Sequence, residues 1–469
     1  MRKNIDMLND RLGPSIIRYT IPIILTSLLQ LLFNAADLVI VGRFCGSICV
    51  AAVSSTGAII NLIVNLFIGL SVGASVAVAH SLGGKDDEET HRTVHTALAA
   101  ALVGGAILTV VGVVFSEKFL ILMKTPENVL PLSSLYMRIY FSGMIFSMVY
   151  NFCASILRAA GDSKSPLYFL TLAGVANVLL NVIFVTVFHM NVDGVALATT
   201  ISAWSGVIII LIVSIFTKNI LYAPVKDTFG FSFNDIKVFY NKALPVIFNE
   251  TMWGAGTFVF NIIFGHMGYE YFAAITILRS FENIAFVYII GLCNACSIMV
   301  GKSIGKGKIN RGIQDTKRFL VVFPIISIII SAIIFIFRSQ LIGIFNVGNN
   351  ISDVTLDAAM TIMAFYAFEF TIRQIPFLTI VGIFRSGGDT VTGVKYDLFT
   401  LWGLSIPATL IAVYVIKVPF IVAFAVMYIF EDYIKSLLCL RYYRSLKWVK
   451  PVTDEGKNGL KQYLQKKGT

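Results

Sequence analysis

Asp37 is the residue with the clearest capacity for chemistry. It is a carboxyl in a run of apolar residues, with no basic residue within four positions. Thr26, Gln30 and Asn34 precede it at helical spacing, so the four polar side chains share one face of a helix. Burying an ionisable side chain at the centre of a bilayer costs about 2.5–3.5 kcal/mol on insertion scales, so such a residue calls for a functional reason. A lone carboxylate on a polar stripe can take up a proton or a cation on one side of a membrane and release it on the other.

Few other polar groups lie in apolar segments. Asn177 and Asn181 stand one turn apart and are neutral partners for Asp37 or for a bound molecule, with interhelical packing as the alternative. Glu250, Trp253, Thr257 and Asn261 form a second line resembling that of Asp37, with the acid displaced toward the helix start. Glu369 with Arg373, and Arg279 with Glu282, have the i,i+4 and i,i+3 spacings of local ion pairs. Asp397 is expected at the membrane interface, solvated. His91 and His95 have ligand spacing but no cysteine beside them, and no fixed metal site is expected there. The six cysteines, including the C-x-x-C of Cys293 and Cys296, read as small buried hydrophobes. No nucleophile and base cluster in the manner of an enzyme.

The elements that position these residues must be membrane helices. Of 469 residues, 57% are hydrophobic and 13% charged, against roughly 25% charged in soluble proteins. Mean hydropathy is +0.81. A bilayer core needs roughly 20 apolar residues per helix. Twelve such stretches can be drawn, near 15–42, 53–80, 91–116, 133–158, 166–188, 193–217, 240–265, 275–302, 316–337, 355–384, 393–415 and 418–442. The polar start shows no cleavable signal peptide. Most Lys and Arg fall on one side if both termini are cytoplasmic, which sets that orientation in the cytoplasmic membrane. The basic tail from Tyr443 accounts for part of the net charge of +11 and is expected along anionic headgroups, with no nucleic-acid partner.

The chain repeats itself. Pro22 and Gly42, Gly69-Leu70, the Gly-rich loop at Gly83, and Arg158-Ala159-Ala160-Gly161-Asp162-Ser163 recur about 220 residues later as Pro245 and Gly265, Gly291-Leu292, the loop at Gly305, and Arg385-Ser386-Gly387-Gly388-Asp389-Thr390. The fold class expected is all-α integral membrane, with twelve transmembrane helices in two pseudo-symmetric six-helix lobes related as a parallel repeat. The lobes are 1–217 and 235–442, joined by a cytoplasmic loop over 218–234 and followed by a tail over 443–469. In the R-x-x-G-D-[ST] loops, Arg158 and Arg385 suit headgroups and helix C-termini. Gly161 with Asp162, and Gly388 with Asp389, suit tight turns that cap the next helix. The glycines at 83 and 305 lack the spacing of a phosphate-binding loop, so no nucleotide site is expected.

The order of Gly13-Pro14, Pro22 to Gln30, Asn34-x-x-Asp37, Val41-Gly42, both R-x-x-G-D-[ST] loops and Glu250 after Pro245 resembles the multidrug and toxin extrusion (MATE) family, in particular its MepA-like bacterial branch. The resemblance implies antiport: export of amphipathic, often cationic small molecules, driven by H⁺ or Na⁺, with no cofactor. It implies Asp37, Asn34, Asn177, Asn181 and Glu250 as ion-coupling residues, and Gln30, Trp253, Thr257, Glu282 and Gln374 at the substrate cavity. Two departures stand out: Asn181 where many members have an acid, and Gln374 where one branch has an aspartate. A single first-lobe acid favours H⁺. The alternative cargo is a lipid-linked intermediate carried by a flippase of the related polysaccharide-exporter class, for which more cavity cations are expected. A two-lobed chain can transport as a monomer.

Overall fold

The computed structural model describes residues 12–82, 87–123, 125–222, 233–343 and 351–467, and every regular element among them is a helix. Hydrocarbon offers no partner to a backbone N–H or C=O, so an apolar chain crossing it must satisfy each group within its own helix. Residues 1–11, the Gly83 turn and most of the 218–234 linker lie outside the described residues.

The chain divides into two compact units, Met1–Leu244 and Pro245–Thr469. The first holds α1 (Leu12–Phe44), α2 (Ser47–Ser81), α3 (Asp87–Leu122), α4 (Leu130–Ser142), α5 (Met144–Ala160), α6 (Lys164–Thr186) and α7 (Val192–Thr217). Here α6 packs on both α1 and α7, and α3 on α4 and α5. The fourth stretch, expected as one helix over 133–158, is broken: α4 and α5 meet at 47° around Gly143. A side chain at Gly143 would press on Thr200 of α7, whose hydroxyl donates to the carbonyl of Ile139 at 3.1 Å. The bend and the close helix crossing thus share one cause.

The second unit contains most of α8 (Phe233–Gly265), then α9 (Tyr269–Gly305), α10 (Ile309–Gly343) and α11 (Asp353–Phe377), which runs on as a π-helix over Leu378–Phe384. Next come α12 (Val391–Leu398), a π-helix over Phe399–Ser405, α13 (Ile406–Leu410) and a π-helix over Ile411–Ile416. The last crossing is α14 (Phe420–Tyr428), a π-helix over Ile429–Tyr433 and α15 (Ile434–Arg444), followed by α16 (Asp454–Lys467). Eight described helices are each long and apolar enough to cross a bilayer, and the bent α4 and α5 pair makes a ninth. With α2, α8 and the rod from α14 to α15, the layout is twelve crossings in two lobes.

The segment after α15 is packed against the second unit. Trp448 is fully buried and stacks on Tyr443. Lys450 donates its backbone N–H to the carbonyl of Gly387 at 2.7 Å, beside an antiparallel bridge from Val449 to Gly388. The Thr453 hydroxyl donates to the carbonyl of Gly305 at 2.7 Å, and α16 approaches that turn so closely that a side chain at Gly459 would overlap Gly307. The tail expected along headgroups is therefore first a structural part of its unit.

Candidate functional site

In the first unit the polar residues of α1 and α6 meet. A side chain at Gly174 would collide with the ring of Phe33, so α6 can approach α1 here only because position 174 has none. Seven residues further along α6, Asn181 Nδ2 donates to Asp37 Oδ1 at 2.6 Å. The same amide lies 3.3 Å from Asn177 Oδ1, and Asn177 Nδ2 donates to Thr199 Oγ1 on α7 at 3.3 Å. A chain of polar side chains thus links Asp37 across three helices. It sits against an apolar cluster that includes Ile40, Val41, Tyr136, Val185 and Val195. Tyr136 and Tyr140 are near enough to Asp37 for its charge to act on them. No ion pair involves Asp37 among the described residues, and the Asn181 carbonyl oxygen is buried without a hydrogen-bond partner.

The rest of the α1 stripe separates from this chain of contacts. Thr26 is buried and donates to the carbonyl of Pro22 on its own helix at 2.7 Å. Gln30 and Asn34 are exposed on the unit's surface. On α8, Trp253 is exposed, and the Thr257 hydroxyl donates back to the Trp253 carbonyl at 3.1 Å.

The second unit departs from expectation at nearly every charge. Glu250 is not a free acid: Arg385 Nη2 lies 3.0 Å from its Oε1, and Arg385 is buried instead of reaching headgroups. Arg158, the counterpart of Arg385, donates to Ser155 Oγ at 3.0 Å, while its carbonyl accepts from the Tyr19 hydroxyl at 2.7 Å. The two loop aspartates act alike. Asp162 Oδ1 accepts from the N–H groups of Lys164 and Ser165, and Asp389 Oδ1 from those of Val391 and Thr392. Gly161 and Gly388 both take positive φ, at 99° and 93°, which a glycine adopts without steric cost.

Asp397, expected to be solvated, accepts from Asn249 Nδ2 at 2.9 Å and pairs with Lys435 Nζ at 2.9 Å. Lys435 is buried among acids and also pairs with Glu431 at 3.0 Å. Arg373 does not take the i,i+4 partner Glu369. It reaches across to Glu282 at 2.7 Å, leaving no described pair between Glu282 and Arg279, and has Asp432 at 3.9 Å. Its guanidinium also lies over the rings of Phe286 and Tyr428, and it donates to the Tyr428 hydroxyl at 3.1 Å. Glu282, expected at a substrate cavity, is committed to this pair. Gln374 is completely buried, with neither amide atom hydrogen-bonded.

The MatE family model matches residues 22–183 and 245–411, one match in each half of the duplicated chain. The chain belongs to the MatE family. Members are membrane transporters, and this MatE chain is a multi-pass membrane protein. It is 26% identical to the probable multidrug resistance protein YoeA of Bacillus subtilis over 399 residues, covering 84% of this chain and 85% of that one. It is 22% identical over 412 residues to a multidrug export protein MepA of Staphylococcus aureus, with 87% and 86% covered. Among solved structures, a MATE transporter in the bent conformation matches with a TM-score of 0.85 at 20% identity, covering 94% of this chain and 97% of that one. A Pyrococcus furiosus transporter described as having a binding pocket of reversed polarity matches at 0.86 and 20%, with 94% and 97% covered.

Within this MatE chain, sequence reasoning passed over Thr199, Tyr136 and Tyr140 beside Asp37, and Glu431, Asp432 and Lys435 in the second unit. The last three carried a signal: two adjacent acids followed by a lysine at i+3 and i+4, inside an apolar run.

Proposed function

We propose that this MatE transporter is a cation-coupled antiporter of the cytoplasmic membrane. It exports amphipathic, often cationic small molecules by alternating access, with both termini cytoplasmic and Asp37 as the coupling carboxylate. The observation carrying this reading is Asp37 itself, held by Asn181 at 2.6 Å with no cation paired to it among the described residues. An amide is the right neighbour for a group that changes protonation state. Its N–H donates to the carboxylate, and after a flip its carbonyl oxygen accepts from the carboxylic acid.

H⁺ is favoured over Na⁺. Asp37 is the single acid of its polar chain, so no second carboxylate among the described residues joins it as it would in a multi-carboxylate cation cage. The names of the relatives support drug export.

The test is purified protein in proteoliposomes loaded with a fluorescent lipophilic cation, with ΔpH and ΔNa⁺ imposed separately. A pH gradient should drive substrate movement in the wild type, and Asp37→Asn should fold normally and lose it. Full gradient-driven transport in that variant would remove Asp37 from the mechanism. Movement driven only by Na⁺ would replace the proton as the coupling ion.

A further inference from the structure

We propose that Glu369 carries an exchangeable proton, making a second protonation site in the second unit that is separate from Asp37 and rests on the antiporter reading above. Tyr366, Glu369 and Arg373 lie at i, i+3 and i+7 on one face of α11. That face meets Tyr428 and the π-helix Ile429–Tyr433: the ring of Tyr366 contacts that of Tyr428, and Arg373 hydrogen-bonds its hydroxyl. The charged groups around Glu369 are Arg373 on its own helix, Glu431, Asp432 and the Tyr433 hydroxyl on the π-helix, and, through Arg373, Glu282 and Arg279 on α9. Lys435 and Asp397 complete the cluster from α15 and α12.

The two cations flanking Glu369 on α11 and α15 are already committed. Arg373 serves Glu282 and Asp432, and Lys435 serves Asp397 and Glu431. Glu369 is 1% exposed, no ion pair includes it among the described residues, and neither of its oxygens accepts a hydrogen bond from them in bonding geometry, although Tyr433 lies on that side. Asp432 Oδ2 has no hydrogen bond either. A bare carboxylate so placed carries a large desolvation cost that only a counter-charge or a proton removes. The surroundings are close-packed rings, with Phe365 against Phe424 and Tyr428. A proton is the ligand that needs no volume.

The i,i+4 spacing then supplies a second state. When the proton leaves Glu369, Arg373 can turn from Glu282 to the new carboxylate one turn away, which frees Glu282 and loosens α9 from α11. π-helical turns are frequent at functional sites, and here one carries Glu431 and Asp432 into the cluster.

The experiment is infrared spectroscopy of the full-length protein in nanodiscs, with isotopically labelled glutamate and, separately, the Glu369→Gln variant. The wild type should show the carbonyl band of a protonated carboxyl that shifts with the glutamate label, persists in Asp37→Asn and is lost in Glu369→Gln. In proteoliposomes, Glu369→Gln should exchange one proton fewer per substrate. If the wild type has no label-sensitive band, or if the band survives Glu369→Gln, the proposal fails. Should the Gln variant not fold, the labelled wild type decides alone, because among the described glutamates Glu369 alone is buried without an ion pair, Glu250, Glu282 and Glu431 being paired and the others exposed. The spectrum needs no transport, so the site can stand or fall independently of the antiporter reading.

Discussion

Arg385 binds the carboxylate of Glu250 at 3.0 Å, whereas Arg158, at the same place in the repeat, donates to the neutral hydroxyl of Ser155 at 3.0 Å. The two R-x-x-G-D-[ST] loops keep one backbone geometry and differ in what the arginine neutralises. In the first unit no acid among the described residues pairs with the loop arginine; in the second Glu250 does.

The pair predicts a specific pattern of stability. Glu250→Gln strands a buried guanidinium, and leaving a buried charged group unsatisfied costs about 1–3 kcal/mol or more. Glu250 keeps some exposure, which places the expected loss toward the lower end. Replacing Arg385 by Gln as well should recover part of it. Thermal unfolding in detergent of the two singles and the double checks this, and equal additive losses would show that the pair is not coupled. Transport should suffer less in Glu250→Gln than in Asp37→Asn.

The approach of α6 to α1 makes a second prediction. In Gly174→Leu, the new side chain must displace the Phe33 ring. Overpacking of this kind typically costs about 1–3 kcal/mol, and it would draw Asn181 away from Asp37. Gradient-driven efflux should fall at least as far as in Asn181→Leu, with the protein still membrane-inserted. Undiminished transport would mean that the Asn181 to Asp37 contact is dispensable.

How much of this was readable beforehand depends on which helix a partner sits on. Asp37, Asn177 and Asn181 were legible because one-turn spacing marks a face, and a polar face in lipid must find another. The cross-helix choices were not. Periodicity pairs Arg373 with Glu369, yet a long guanidinium reaches Glu282 on α9 instead. Counting at 3.6 residues per turn also fails beyond Leu378, where the wider π-helical turns shift the register that would have shown Glu431, Asp432 and Lys435 on a buried face. Lys435 is hidden for a related reason: a rule that counts basic residues near helix ends cannot see that this one is neutralised inside.

Asn181 permits a test of ion choice. Asn181→Asp places a second carboxylate beside Asp37, and two acids with Asn177 approach the oxygen-rich set that a bare cation prefers. Transport by this variant should depend on ΔNa⁺ more strongly than transport by the wild type. The same response to Na⁺ in both proteins would show that the charge count at this place does not select the ion.

The final prediction concerns the strap after α15, where Trp448 seats against Gly387 and Lys450 pairs with Asp389 Oδ2 at 2.8 Å. Burial by itself would raise the Asp389 carboxyl, but donors from Lys450, Tyr442 and Thr392 outweigh it and hold the group below the ordinary aspartate range. A carboxyl depressed on folding contributes stability that is fully present above its unfolded value of about 3.9 and is lost as pH falls through the lower folded value. Tail docking, followed by Trp448 fluorescence or by protease cleavage after Lys447, should therefore be flat from neutral pH down to about 4 and weaken only below it. Lys450 is half exposed, so its ion pair adds little, and Lys450→Ala should shift docking slightly. Trp448→Ala empties a completely buried site, at a cost of about 3–5 kcal/mol. That variant should release the strap at neutral pH. A tail that stays protected in Trp448→Ala would show that α16, through Gly456 on Ile304 and Gly459 on Gly307, holds the strap by itself.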